Sequence, residues 1–80
     1  MMELYQMRTG EVVRTVDVLN AKIASDGKPL IQYEVEVVSG TSWVNTDEDG
    51  KEYEVDIPAG SRYMMTNREL QRNATFLEKH

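Results

Sequence analysis

Two segments of this chain alternate between apolar and polar residues, and no other feature of the sequence constrains the fold as strongly. Residues 31–37 read Ile-Gln-Tyr-Glu-Val-Glu-Val, and residues 53–57 read Tyr-Glu-Val-Asp-Ile. Because successive side chains of a β-strand point to opposite faces, each segment predicts a strand with one apolar and one acidic face. We expect the apolar faces to pack on a core and the acidic faces to meet water.

Turn signals divide the rest of the chain into further strands. The second strand changes phase, because Val12, Val16 and Val18 share one parity whereas Leu19, Ala21 and Ile23 share the other. This indicates a β-bulge near Val18 and Leu19. Ser25-Asp26-Gly27-Lys28-Pro29 is the strongest turn signal, since Gly27 permits a positive φ. The predicted strands are residues 3–8, 11–24, 30–38, 42–46 and 51–57.

The final segment changes to helical periodicity. Thr66 and Glu69 have the spacing of a capping box, and Met65 and Leu70 occupy the two positions of a hydrophobic staple. We therefore expect a helix over residues 67–78. Its apolar stripe, which should dock on the sheet, consists of Leu70, Ala74 and Leu77.

These elements predict a single domain of residues 1–80 in the α+β class, mainly β. Short turns favour antiparallel pairing, since parallel crossovers need a dozen or more residues. We expect a five- or six-stranded antiparallel meander, curled toward a small barrel of SH3-like or OB-like dimensions, with one C-terminal helix packed across it. In that order the 42–46 strand separates the acidic rows of its two neighbours by about 9.6 Å.

The negative charge is concentrated in the middle of the chain. Residues 34–56 hold eight acids and one base, a net −7, whereas residues 1–33 are neutral and residues 57–80 carry +2. This acidic face is a candidate for binding a basic partner, and it fits equally well an ordinary solvated surface that keeps a small protein soluble. Its candidate residues are Glu34, Glu36, Glu52, Glu54 and Asp56, together with Trp43.

The direction of Trp43 decides what kind of surface this is. If Trp43 points inward, Ser42, Val44 and Thr46 face outward and the tryptophan anchors the core, which the high average burial of tryptophan favours. If it points outward, a large aromatic side chain stands between two acidic rows and has the character of a binding hot spot.

The residue types that common catalytic sites require are scarce in this sequence. There is no cysteine, and the single histidine is His80 at the end of the chain, so neither a nucleophile–histidine pair nor a multi-histidine metal site is expected. The loop Asp47-Glu48-Asp49-Gly50 does not match an EF-hand, because Lys51 falls where a fifth-position oxygen ligand belongs. We therefore expect no enzyme, no metal and no cofactor.

The sequence also predicts a cytoplasmic protein without membrane contact. No apolar run approaches the roughly 20 residues that a membrane span requires. The first residues lack the basic and then apolar arrangement of a secretory signal.

Three functions fit these features. We favour a small acidic, non-catalytic protein-binding module, of the kind that acts as an inhibitor or nucleic-acid mimic by occluding a basic surface of a larger nucleic-acid-handling partner. The alternative is a structural or assembly subunit that self-associates through a sheet edge or through the helix. A weak RNA or DNA adaptor comes third, because net negative charge disfavours direct nucleic-acid binding. Its basic helix patch would consist of Arg62, Arg68 and Arg72.

Overall fold

The computed structural model describes residues 3–79. In this part of the chain, seven strands form two antiparallel sheets, and there is one helix. The predicted class, α+β and mainly β, is confirmed. The single histidine, and with it every expectation placed on His80, lies outside the described residues. The elements are β1 (Glu3–Met7), β2 (Val12–Ile23), β3 (Pro29–Ser39), β4 (Thr41–Thr46), β5 (Glu52–Ile57), β6 (Arg62–Thr66), α1 (Asn67–Asn73) and β7 (Ala74–Lys79).

The larger sheet has five strands in the order β6-β3-β2-β1-β7. Its centre, β1-β2-β3, is the predicted antiparallel meander, but the meander does not continue. In the described chain, β4 and β5 pair only with each other, so the prediction that the Trp43 strand separates two acidic rows is wrong. The edge of β3 on which β4 was expected to pair is occupied by the segment that leads into β6. There the Val37 amide donates to the Ser61 carbonyl at 2.8 Å, and the Val37 carbonyl accepts the Gly60 amide at 2.8 Å.

The five-stranded sheet does not close into a barrel. Within residues 3–79, β6 pairs only with β3 and β7 pairs only with β1, which leaves these two strands as the opposite edges of the sheet. Helix α1 joins the two edge strands and packs against β1, β3, β6 and β7. The sheet therefore stays open where a barrel was expected, and α1 spans the gap between its two edge strands.

The core lies on one face of the five-stranded sheet, under α1. The alternation predicted for β3 is confirmed, since Val35 and Val37 are buried on one face while Glu34 and Glu36 lie on the other. The hydrophobic residues buried in the described chain are Val13, Val35, Val37, Met65 and Leu70. Half-buried aromatic side chains, among them Tyr5 and Tyr63, pack around this cluster.

Strand β2 contains three register shifts in its pairing with β3, of which one lies at its start, between Val12 and Val13. The register shifts between Val18 and Asn20, as predicted, and again between Thr15 and Asp17, which the sequence pattern did not indicate. The turn after β2 also forms as predicted: the Gly27 amide donates to the Ala24 carbonyl at 2.9 Å, and Gly27 has φ +80°.

The helix begins as predicted and ends five residues early. The Thr66 side chain accepts the Glu69 amide at 3.2 Å, which is the expected cap. Ala74 then has extended dihedrals and starts β7, so the prediction of a helix through residue 78 is wrong. Pairing with β1 stabilises the strand, and Phe76 packs edge-on against Tyr5 with ring centroids 5.6 Å apart. Within residues 3–79 no helix is long and apolar enough to cross a membrane.

The β4–β5 hairpin projects from the rest of the molecule, because its two strands pack chiefly on each other. The radius of gyration is 14.7 Å, whereas a compact chain of this length has about 12 Å. Gly40 makes the attachment possible, because a Cβ at this position would lie 2.5 Å from the Ile57 carbonyl oxygen. The chain can turn out of β3 and pass this close to the end of β5 only where there is no side chain.

Candidate partner-binding surface

The acidic residues of β3 are neutralised by arginines on both neighbouring strands. Glu36 lies opposite Arg14 of β2 and opposite Arg62 of β6 in the sheet register. Arg14 donates its Nε–H to Glu36 Oε1 at 2.8 Å, and Arg62 Nη2 lies 3.1 Å from Glu36 Oε2. A second nitrogen of Arg62, Nη1, lies 3.1 Å from Glu34 Oε1. These four side chains form one charge-balanced cluster across three strands.

The protonation behaviour of this cluster follows from its hydrogen bonds. The Arg14 guanidinium, with a smaller contribution from Arg62, holds the pKa of Glu36 below its ordinary value, although partial burial opposes the shift. The carboxylates of Glu34 and Glu36 in turn raise the pKa of Arg62. Because two carboxylates meet two guanidinium groups in this cluster, little of its negative charge is left to attract a partner.

The acidic residues of β5 are in a different position. Glu52, Glu54 and Asp56 are exposed and alternate along one face of the β4–β5 hairpin. Within residues 3–79 none of the three has a salt bridge. Their cross-strand neighbours on β4 are uncharged: Thr46, Val44 and Ser42. We refer to Glu52, Glu54 and Asp56 as the acidic row.

Trp43 lies on the opposite face of the same hairpin. It pairs with Val55 across the strands, and both side chains are half-buried. Tyr53 on the same face is 48% exposed. Trp43 therefore lies outside the main core cluster and on the face opposite to the acidic row. It is neither a fully buried core anchor nor an exposed aromatic residue between two acidic rows. The hairpin has one acidic face and one aromatic face.

The loop at the tip of the hairpin is built by Asp47. Its carboxylate accepts the backbone amides of Asp49 and Lys51, each at 2.9 Å, and its own amide donates to the Lys51 carbonyl at 2.9 Å. Gly50 has φ +81°, which a tight turn requires and which other residues rarely adopt. In the described part of the chain no group of three or more acidic, histidine or cysteine side chains could hold a metal ion.

The three arginines of the predicted basic helix patch do not form one patch. Arg62 lies in β6 and not in the helix, where it belongs to the Glu34–Glu36 cluster. Arg68 lies in α1 and its Nη2 is 2.9 Å from the Asp26 Oδ1 in the β2–β3 turn. Of the three, only Arg72 has no salt bridge within residues 3–79.

Sequence reasoning missed Arg14, the residue that neutralises Glu36 most directly. The hairpin turn at Gly27 gives only a starting register, because a turn fixes which residues of β2 and β3 face each other close to it. A regular hairpin continued from the pair Ile23 and Pro29 would place Val16 opposite Glu36. The two bulges of β2 move Arg14 into that position.

Comparisons with known protein families, with curated proteins and with solved structures found no significant match. The function of the chain must therefore be inferred from the geometry and charge of its own surface.

Proposed function

We propose that this protein is a small acidic, non-catalytic protein-binding module whose β4–β5 hairpin binds a basic surface of a larger partner. The observation that supports this most strongly is the acidic row, whose members Glu52, Glu54 and Asp56 are exposed and have no salt bridge within residues 3–79. The acids of β3, by contrast, are already paired with arginines. Attraction to a basic partner is therefore concentrated on the hairpin.

The structure of the hairpin also favours a binding role. A two-stranded hairpin is only marginally stable by itself in water, and this one pairs with no other strand in the described chain. Its second face carries Trp43 and the half-exposed Tyr53, and aromatic side chains of this kind are enriched among binding hot spots. A partner that closes around the hairpin would meet carboxylates on one side and aromatic rings on the other.

The partner we propose is a nucleic-acid-handling protein whose basic surface is occluded. Alternate residues of a strand stand about 6.7 Å apart, so the acidic row presents carboxylates at regular intervals. A regular row of anionic groups is what a nucleic-acid backbone presents to the lysines and arginines that bind it. In this role the protein acts as an inhibitor by competing for that surface.

A catalytic role is not part of this proposal. The chain has no cysteine, and its one histidine is residue 80. One surface hollow, of about 450 Å³, is lined in part by Arg14 and Glu36, whose charges neutralise each other. Such a pair lacks the separated acid and base that proton-transfer catalysis uses.

The experiment that tests the proposal compares two variants of equal net charge. Proteins are captured from a lysate of the native host on immobilised wild type and on the variant Glu54→Gln/Asp56→Asn, and are identified by mass spectrometry. We expect the variant to lose a basic protein that the wild type captures. Addition of the wild type, but not of the variant, should then release nucleic acid from that captured protein.

The matched control is Asp26→Asn/Glu78→Gln. It removes the same number of negative charges, from exposed positions outside the hairpin. We expect it to capture the same basic protein as the wild type. Equal capture by all three proteins, or equal loss with both variants, would remove the hairpin as the binding surface.

The alternative, a structural or assembly subunit that self-associates, is supported by a separate observation. Four apolar residues of β2 are exposed along a strand edge that is unpaired in residues 3–79. The third function, an RNA or DNA adaptor through a basic helix patch, has less support, because Arg62 and Arg68 already pair with acids.

A further inference from the structure

Within residues 3–79, the second half of β2 has an open outer edge. In the described chain, β1 pairs with β2 only at Val12, Val13 and Arg14, so the backbone beyond Thr15 has a neighbour on the β3 side alone. An open edge with apolar side chains is a template for pairing with another strand. The exposed fractions here are 37% for Val16, 54% for Val18, 44% for Leu19 and 67% for Ile23.

The bulge after Val18 determines which side chains of this edge share a face. Asp17 and Lys22 are five residues apart, and in a regular strand they would lie on opposite faces. Because the register with β3 shifts between Val18 and Asn20, both lie on the face that holds Glu34 and Leu30 of β3. By the same shift, Val18 and Ala21 lie together on the other face.

We infer that a second copy of this chain binds here, β2 against β2, in an antiparallel pairing centred between Leu19 and Asn20. This register places Asp17 opposite Lys22 of the second copy and Val18 opposite Ala21 of the second copy. Twofold symmetry makes each pair occur twice. The bulge makes each pair fall on matching faces, so the edge is complementary to itself in charge.

Two other registers are less favourable. Pairings centred on Asp17 or on Lys22 place like charges directly opposite, which is destabilising. In the single chain the Asp17 carboxylate accepts the Val18 amide at 2.9 Å, and the paired state would exchange this bond for Lys22 of the second copy. One pair of short strands buries less than the roughly 800 Å² per partner of a standard stable interface. We therefore expect a dimer of micromolar or weaker affinity.

The test is sedimentation equilibrium with two charge-reversal variants, alone and mixed. The wild type should shift from its monomer mass of 9.2 kDa toward twice that value as the concentration rises. Asp17→Lys and Lys22→Asp each place like charges opposite each other, so each alone should dimerise at least about tenfold more weakly. An equimolar mixture of the two variants brings opposite charges together again at both pairs. The mixture should recover the wild-type affinity to within about threefold.

The control is Lys51→Asp, which makes the same change of charge as Lys22→Asp but at the tip of the β4–β5 hairpin. It should leave the association intact. A wild type that stays monomeric up to concentrations on the order of 1 mM would overturn the inference. A dimer that neither reversal weakens, or a mixture no stronger than its components, would overturn it as well. Because the acidic row takes no part in this contact, the inference can fail while the hairpin proposal stands.

Discussion

At the scale of single residues, Glu36 is the acid that connects three strands of the sheet through salt bridges. It lies between Arg14 and Arg62 on the two neighbouring strands, and its side chain is only 19% exposed. Truncating one partner of such a cluster leaves the remaining charges partly desolvated and unpaired. The cluster thus fixes the lateral order β6-β3-β2 by charge, in addition to the hydrogen bonds of the strands.

The first prediction concerns the pH dependence of stability. The folded-state pKa of Glu36 is lowered, so its ionised form stabilises the fold above the unfolded-state pKa, and this contribution is lost as the pH falls through the folded-state value. In Glu36→Gln we expect a lower free energy of unfolding at pH 7 and a shallower decline below about pH 5. Urea denaturation at a series of pH values measures both. Glu54→Gln is the control, and identical slopes for wild type and Glu36→Gln would contradict the prediction.

The second prediction concerns Gly40. A methyl group at this position would meet the Ile57 carbonyl oxygen at 2.5 Å and the Ala59 amide nitrogen at 3.0 Å, and both are backbone atoms that cannot rotate away. We expect Gly40→Ala to destabilise the protein by about 1–3 kcal/mol. Ser42→Ala, two residues away and exposed, should change stability by less than about 0.5 kcal/mol. Equal stability of Gly40→Ala and Ser42→Ala in urea denaturation would contradict the prediction. It would show that the backbone around Gly40 moves away from the added methyl group without cost.

The alternation of β3 predicts correctly which residues are buried, but not which charges meet. Facing residues depend on register, and register depends on every bulge between the turn and the pair in question. One bulge is visible near Val18 because the apolar parity changes there. The other inserts Val16 between Thr15 and Asp17, and the apolar pattern does not show it because Val16 has the same parity as Val12 and Val18. The sequence pattern therefore misplaces Arg14 by two residues, and it does not reveal that the charge on β3 is neutralised.

At the scale of elements, the segment after β6 shows how tertiary contacts override a local pattern. Thr66, Glu69, Met65 and Leu70 mark the start of α1 correctly, because caps and staples are local interactions. The end of the helix is decided by a distant strand, since residues from Ala74 onward pair with β1. No cap residue marks this change in the sequence, and β1 lies more than sixty positions away.

The third prediction distinguishes helix from strand in this segment. Leu70 is 2% exposed under the sheet, whereas Leu77 is 46% exposed in β7. Leu70→Ala should cost about 2–5 kcal/mol, and Leu77→Ala less than about 1 kcal/mol. Thermal unfolding followed by far-ultraviolet circular dichroism measures both, with Leu70→Met as a milder variant if Leu70→Ala does not fold. Similar losses at the two leucines would instead support a helix that runs through residue 78.

At the scale of the whole molecule, the distribution of charge matters more than its total of −5. Of the eight acids in residues 34–56, two belong to the neutralised cluster on β3 and three lie in the loop at the tip of the hairpin. The other three form the acidic row, which has no salt bridge within residues 3–79. The sequence indicated this concentration of acids but not its division, because the division depends on which strands pair. Binding of a basic partner should therefore depend on the hairpin alone.

The measurement that tests this claim most directly is the salt dependence of binding to the basic protein that the wild type captures. We expect its dissociation constant to rise steeply with salt between about 0.05 and 0.5 M, since charges at an exposed interface are screened. Glu54→Gln/Asp56→Asn should bind at least about tenfold more weakly at low salt and show a shallower salt dependence. Asp26→Asn/Glu78→Gln should follow the wild type. Equal affinity and an equal salt slope for the wild type and the hairpin variant would contradict the claim.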